Sequence, residues 1–120
     1  MTTERQKSEA RGRKAEKIAA NWLRLKGYTI LEERFRSKRG EIDIICKRGS
    51  EILIVEVKAH KTRENSLYAV TPRQQQRIVH ATEDWLKTQS FEKYSLRFDV
   101  IAIAPKRLPA HIKDAWRPGF

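Results

Sequence analysis

The stretch from Arg39 to His60, RGEIDIICKRGSEILIVEVKAH, constrains the fold more than any other part of this chain. It holds two runs of branched apolar residues, each of strand length, separated by Gly49-Ser50. Such runs around a turn predict an antiparallel β-hairpin. A two-residue loop at Gly49-Ser50 sets Arg48 opposite Glu51, Ile45 opposite Ile54, Asp43 opposite Glu56 and Glu41 opposite Lys58. Side chains alternate between faces along a strand. Glu41, Asp43, Glu56 and Lys58 are therefore expected on one face, toward one end of the hairpin, with Ile42, Ile44, Leu53, Val55 and Val57 on the other.

Like charges directly opposite one another, with Cβ atoms about 5 Å apart, destabilise a sheet unless something offsets them. The residues alone leave two solutions open. Lys58 can neutralise part of an ordinary solvated cluster. Alternatively, Asp43 and Glu56 can hold a divalent cation, since hard oxygen ligands at this separation suit Mg²⁺ with its retained waters. In the second case a metal can polarise a phosphoryl oxygen and acidify a bound water, and Lys58 can orient that water or stabilise developing negative charge.

The flanks supply the rest of the fold. Between Arg11 and Lys26, Ala15, Ile18, Ala19, Trp22 and Leu23 recur at helical spacing, and Gly27 marks the stop. YTILEERFR reads as a strand, and SKRG as the turn into the hairpin. After a polar loop, AHKTRENSLYAV, Thr71-Pro72 opens a second helix with a capping hydroxyl and a proline at the first position. Its expected buried face is Ile78, Ala81, Thr82, Trp85 and Leu86. LRFDVIAIA is a last strand. The order helix, three strands, helix, strand describes an α/β sandwich with a mixed sheet. A single domain is expected over residues 1–120, with 1–10 flexible and 105–120 an irregular tail that Trp116 anchors against the body.

Lysine and arginine number 26 against 15 aspartates and glutamates, a formal charge of +11. That excess points to an anionic partner, nucleic acid first. The start, MTTERQKSEARGRKAEK, lacks the apolar core of a secretory signal, and no run approaches the ~18 apolar residues of a membrane span. A soluble, cytoplasmic protein is expected. The one cysteine, Cys46, lies within an apolar run and reads as a small buried hydrophobe. His60, His80 and His111 show no zinc-like spacing.

EID at Glu41–Asp43, followed by VEVK at Val55–Lys58, resembles the core of the PD-(D/E)xK nuclease superfamily. Taken with RKAEKIAANWLRLKGYTILEERFR, GEIDIIC and RFDVIAI, the chain more closely resembles the endonuclease-related YraN-like family, over roughly Gly12 to Ala104. The resemblance implies a restriction-endonuclease-like fold akin to that of Holliday junction resolvases. It also implies Mg²⁺- or Mn²⁺-dependent hydrolysis of DNA phosphodiester bonds, with branched or single-stranded DNA among the candidate substrates. Carried over by position, Asp43 is the central metal ligand, Glu56 the second, the Val57 carbonyl a third, and Lys58 the catalytic lysine.

Glu16 corresponds in the same way to the acidic residue on the first helix of such nucleases. At 100° per residue it lies beside Leu23 on the border of the apolar stripe, from which it can reach the rim of the sheet; the alternative is an i,i+3 or i,i+4 partner for a surface base such as Arg13. Relatives usually carry a basic residue near Gln74, where this chain has RQQQR, leaving Arg73 and Arg77 to contact phosphate. Of the three glutamines, Gln75 is the choice for a polar contact to the scissile phosphate; all three can equally be exposed helix residues. Arg13, Arg39 and His60, the last where relatives commonly have arginine, complete the candidate phosphate contacts. Ile42 stands where the superfamily name puts proline. Arg97 and Asp99 receive no catalytic role. The competing expectations are a nucleic-acid-binding module that keeps the fold without cutting, and a basic scaffold protein. Cutting both strands of a duplex symmetrically needs two sites, hence a homodimer.

Overall fold

The computed structural model describes residues 3–60 and 69–119. The elements run α1 (Glu4–Leu25), β1 (Thr29–Ser37), β2 (Gly40–Arg48), β3 (Glu51–Ala59), α2 (Pro72–Leu86), β4 (Ser95–Ile103) and β5 (Ala110–Trp116). The strands form one sheet in the order β1-β2-β3-β4-β5. β3 and β4 are parallel and the other neighbours antiparallel, so the sheet is mixed as expected. Most of the polar loop expected at 59–70 lies outside the described residues. Among the described residues no helix is long and apolar enough to cross a membrane.

Both helices begin with Thr-x-x-Gln. In α2, Thr71 Oγ1 accepts from the Gln74 N–H and Gln74 Oε1 accepts from the Thr71 N–H, a capping box with Pro72 at the first turn. Thr3 and Gln6 repeat it in α1. The helix thus starts at Glu4, within the stretch 1–10 expected to be flexible. At its other end Gly27 has φ 93°, and the N–H groups of Gly27 and Tyr28 donate to the Arg24 and Leu23 carbonyls. This is a Schellman ending, and the left-handed φ is what glycine supplies there.

The tail is a correction. Residues 110–116 form β5, paired antiparallel with β4, and Trp116 stacks on Phe98 at 4.4 Å between ring centroids. The expected anchor holds through a strand instead of an irregular segment.

The sheet separates two cores. Ile45, Ile52 and Ile54 pack with Ile78, Ala81 and Trp85 of α2, whereas Cys46, Leu53 and Val55 pack with Ala19, Ala20 and Leu23 of α1. Each of these isoleucines and leucines is essentially fully buried, stabilising the fold by about 1.5–3 kcal/mol per side chain. Burial also pushes the Cys46 thiol up to about 12, consistent with an inert core residue.

The hairpin register is the expected one, with Arg48 opposite Glu51 and Ile45 opposite Ile54. Strict alternation fails at one place. Ile42 joins the α2 core, not the α1 core that holds Ile44. Glu33 and Phe35 of β1 pair with Ile44 and Ile42, and between them Arg34 has φ 57°, so a left-handed kink faces Asp43 and breaks the phase of both strands. The β1–β2 turn is fixed to α2. A Cβ on Gly40 would collide with the Arg77 carbonyl, and the Arg39 guanidinium reaches Asp84 at 2.7 Å and the His80 carbonyl at 3.3 Å.

Candidate active site

Asp43 lies where β2 and β3 part. Regular pairing runs as far as Ile44 opposite Val55; beyond it the Val57 N–H donates to Asp43 Oδ2 at 2.8 Å. A carboxylate has taken over as acceptor for a strand amide. Its other neighbour is Glu56, close enough for a hydrogen bond between the two carboxyl groups. Burial raises both pKa values. For Asp43 the bonds from Val57 and Glu56 pull back without cancelling that rise; for Glu56 the Asp43 charge adds to it, and the carboxyl is pushed up to about 9. Both shifts run in one direction: the site favours the pair holding a proton over two full negative charges.

Lys58 opposes this rise at both carboxyls without overcoming it. Its Nζ donates to Gln74 Oε1 at 3.3 Å, the same oxygen that accepts the Thr71 N–H at 3.0 Å. The first turn of α2 thus both caps the helix and holds the lysine. Of the glutamines, Gln75 Nε2 donates to the Val70 carbonyl at 3.0 Å, and Gln74 is the one that meets Lys58.

Glu16 reaches the rim of the sheet. Its half-buried carboxylate pairs with Arg34 Nε at 3.4 Å, which replaces the i,i+3 or i,i+4 surface pairing considered as the alternative. Burial, and next the Asp43 charge, raise its pKa, with Arg34 opposing. Glu16, Asp43, Arg34, Arg36, Glu41 and Ile42 line a small cleft of about 60 Å³. Glu41 itself pairs with Arg36 at 3.5 Å.

The two carboxylates and the Val57 carbonyl are hard oxygen donors in a place short of positive charge, which suits Mg²⁺ or Mn²⁺. Among the described residues no three His, Cys, Asp or Glu side chains are grouped to hold a metal, so waters would have to complete the shell, as Mg²⁺ permits.

The expected phosphate contacts divide. Arg73 and Arg77 are exposed on α2, and Arg13 lines a larger cavity with Arg34 and Arg36. Arg39 is engaged with Asp84 and Glu83, a tie between the β1–β2 turn and α2. The His60 N–H donates to the Ile103 carbonyl, extending the β3–β4 pairing. The sequence reading missed Arg34 and Arg36, which sit in EERFR; charges at the alternate positions 32, 34 and 36 of a strand were the signal.

Arg97 and Asp99 share the α1 face of β4 with Ile101. Arg97 forks onto Asp99 with two bonds of 2.9 Å, His111 Nε2 lies 2.7 Å from Asp99 Oδ2, and the Asp114 N–H donates to Oδ1 at 3.0 Å. His111 Nδ1 in turn lies 3.0 Å from Lys26 Nζ.

The sequence profile described as Uncharacterised protein family UPF0102 matches residues 15–103. The chain belongs to this family. A UPF0102 protein of Maricaulis maris is 42% identical over 120 residues, covering 99% of this chain and 94% of the relative. One from Bartonella tribocorum is 51% identical over 110 residues, covering 91% and 85%, and one from Bartonella bacilliformis 49% over 111, covering 92% and 91%. The UPF0102 match takes in Glu16, Asp43, Glu56, Lys58 and Gln74, and stops short of β5 with His111.

Proposed function

We propose that this UPF0102 chain is a metal-dependent endonuclease of the PD-(D/E)xK type, hydrolysing DNA phosphodiester bonds, with branched or single-stranded DNA as candidate substrates. The observation that carries the reading is the Asp43–Glu56 pair, left with raised pKa values beside Lys58 at the mouth of a hairpin. Strained, undercompensated carboxylates beside a cation are typical of functional sites. A net charge of +11 supports an anionic polymer as substrate.

Asp43, Glu56 and the Val57 carbonyl would hold Mg²⁺ or Mn²⁺, which supplies Lewis acidity and an acidified water. The protein's own groups do the rest. To hold that ion, Asp43 and Glu56 would both have to be ionised, with any proton between them released to solvent. Lys58, steadied by Gln74, orients the attacking water and faces the charge that develops on the phosphate. Glu16 stands at the rim, held by Arg34. The exposed Arg73 and Arg77 contact backbone phosphates without reading sequence.

The test is cleavage of labelled branched, single-stranded and supercoiled DNA with Mn²⁺ or Mg²⁺, against EDTA and an Asp43→Asn variant. Asparagine keeps an oxygen for the Val57 N–H, so lost cutting reports chemistry and not a broken hairpin. Metal-dependent cuts that disappear in the variant are expected. Binding without cutting across the panel would instead make the protein a non-catalytic nucleic-acid module.

A further inference from the structure

Adjoining the small cleft is a cavity of about 600 Å³ lined by Glu9, Arg13, Arg34 and Arg36. Arg34 and Arg36 line both, so the two spaces share a wall. Glu9, Arg13 and Glu16 are spaced i, i+4, i+7 on α1 and share one helix face. At 1.5 Å rise per residue, Arg13 lies about 4.5 Å along the helix from Glu16, which lines the small cleft with Asp43.

The acids around this cavity are already matched. Glu9 pairs with Arg5 at 3.2 Å. Arg34 and Arg36 meet Glu16 and Glu41 through Nε, at 3.4 and 3.5 Å. A guanidinium has five N–H donors, and a single contact at Nε leaves its terminal fork for a ligand. The left-handed Arg34, which costs a residue with a side chain of order 1 kcal/mol, persists where surrounding structure fixes it. An internal phosphodiester is a monoanion with two free oxygens. A terminal phosphate is close to a dianion at neutral pH and offers three oxygens, which matches three arginines standing among carboxylates.

We propose that the Arg13–Arg34–Arg36 cavity binds the terminal phosphate of a nucleic-acid strand, placing the first nucleotides of that strand against Asp43 and Glu56. The placement of those nucleotides for cutting rests on the nuclease reading; recognition of the phosphate does not. The strand end can be 5′ or 3′, and the arms below separate the two.

Binding is measured by fluorescence anisotropy in EDTA with the Asp43→Asn protein, using one oligonucleotide with a 5′-phosphate, a 3′-phosphate or hydroxyls at both ends. One phosphorylated form is expected to bind about tenfold more tightly than the hydroxyl form, the scale of one charge-assisted contact. In the Arg13→Gln/Arg36→Gln double variant that preference should vanish, while the hydroxyl-ended strand weakens far less. Arg34 is left in place because removing it would unpair Glu16. Equal affinity for all three oligonucleotides, or a preference that survives the double substitution in a protein with unchanged melting, overturns the proposal. Neither readout needs catalysis. A protein that never cuts can still show the preference, and one that cuts can lack it, so the two proposals fail separately.

Discussion

One sheet carries two carboxylate centres, one buried and one half-buried, and the fold treats them in opposite ways. At Asp99 burial pushes the carboxyl up, but hydrogen bonds from His111, Arg97 and the Asp114 backbone outweigh it and hold the pKa at about 2. At Asp43 and Glu56 burial is answered by one backbone N–H and a lysine, and both values stay raised. Asp99 is closed off by β5, with the His111 side chain 1% exposed and its own 0%. Asp43 opens onto a cleft. A carboxylate with every lone pair answered is holding strands together. One that must share a proton with its neighbour has been left short of a cation, and a ligand can supply it.

The sharpest way to break this contrast is to truncate each centre. Asp99→Ala strands Arg97 and His111 and should cost about 3–5 kcal/mol in urea unfolding, whereas Asp43→Asn, which removes repulsion and keeps the Val57 bond, should leave stability level or raised. Similar losses at both positions would mean that Asp43 is structural too. Next, Mn²⁺ or Mg²⁺ at a hundred times its dissociation constant should stabilise the native chain by about 2.7 kcal/mol. Removing it with EDTA should reverse the gain, Glu56→Gln should lose it, and Asp99 should play no part. A thermal shift that survives Glu56→Gln would move the cation elsewhere.

In the pH profile the centres have opposite signs. Asp99 has a depressed folded pKa, so its contribution is present above the unfolded value near 4 and is lost as pH falls through about 2, roughly 2 kcal/mol in all. Glu56 has a raised one, so the metal-free chain should lose stability as pH climbs from about 4.5 toward 9. Glu56→Gln should flatten only the alkaline limb of a melting-temperature profile. A flat alkaline limb in the native chain would remove the shared proton.

What was legible in the sequence was local. Gly49-Ser50 fixed the hairpin register, Gly27 ended α1 and Thr71-Pro72 began α2, each by a rule confined to a few residues. The Asp43–Glu56–Lys58 grouping followed from that register. What escaped depended on contacts far along the chain. β5 lies between prolines, and its alternation is cut by Asp114 at φ 50°, so AHIKDAW offers too short a period to read. Gln74 and Gln75 differ only in where a helix start points them. Arg39 carried no mark of the Asp84 that holds it, nor His111 of an aspartate in the neighbouring strand.

The two kinked residues, Arg34 and Asp114, sit one in each outermost strand, and each of those strands also shifts register against its neighbour, at Ile30/Glu32 in β1 and opposite Phe98/Val100 in β5. A flat strand from another molecule finds no straight row of amides and carbonyls to extend at either border. A concentrated solution of this chain should therefore resist fibril growth by sheet extension, and a homodimer is expected to form through helices or loops and not by a continuous ten-stranded sheet.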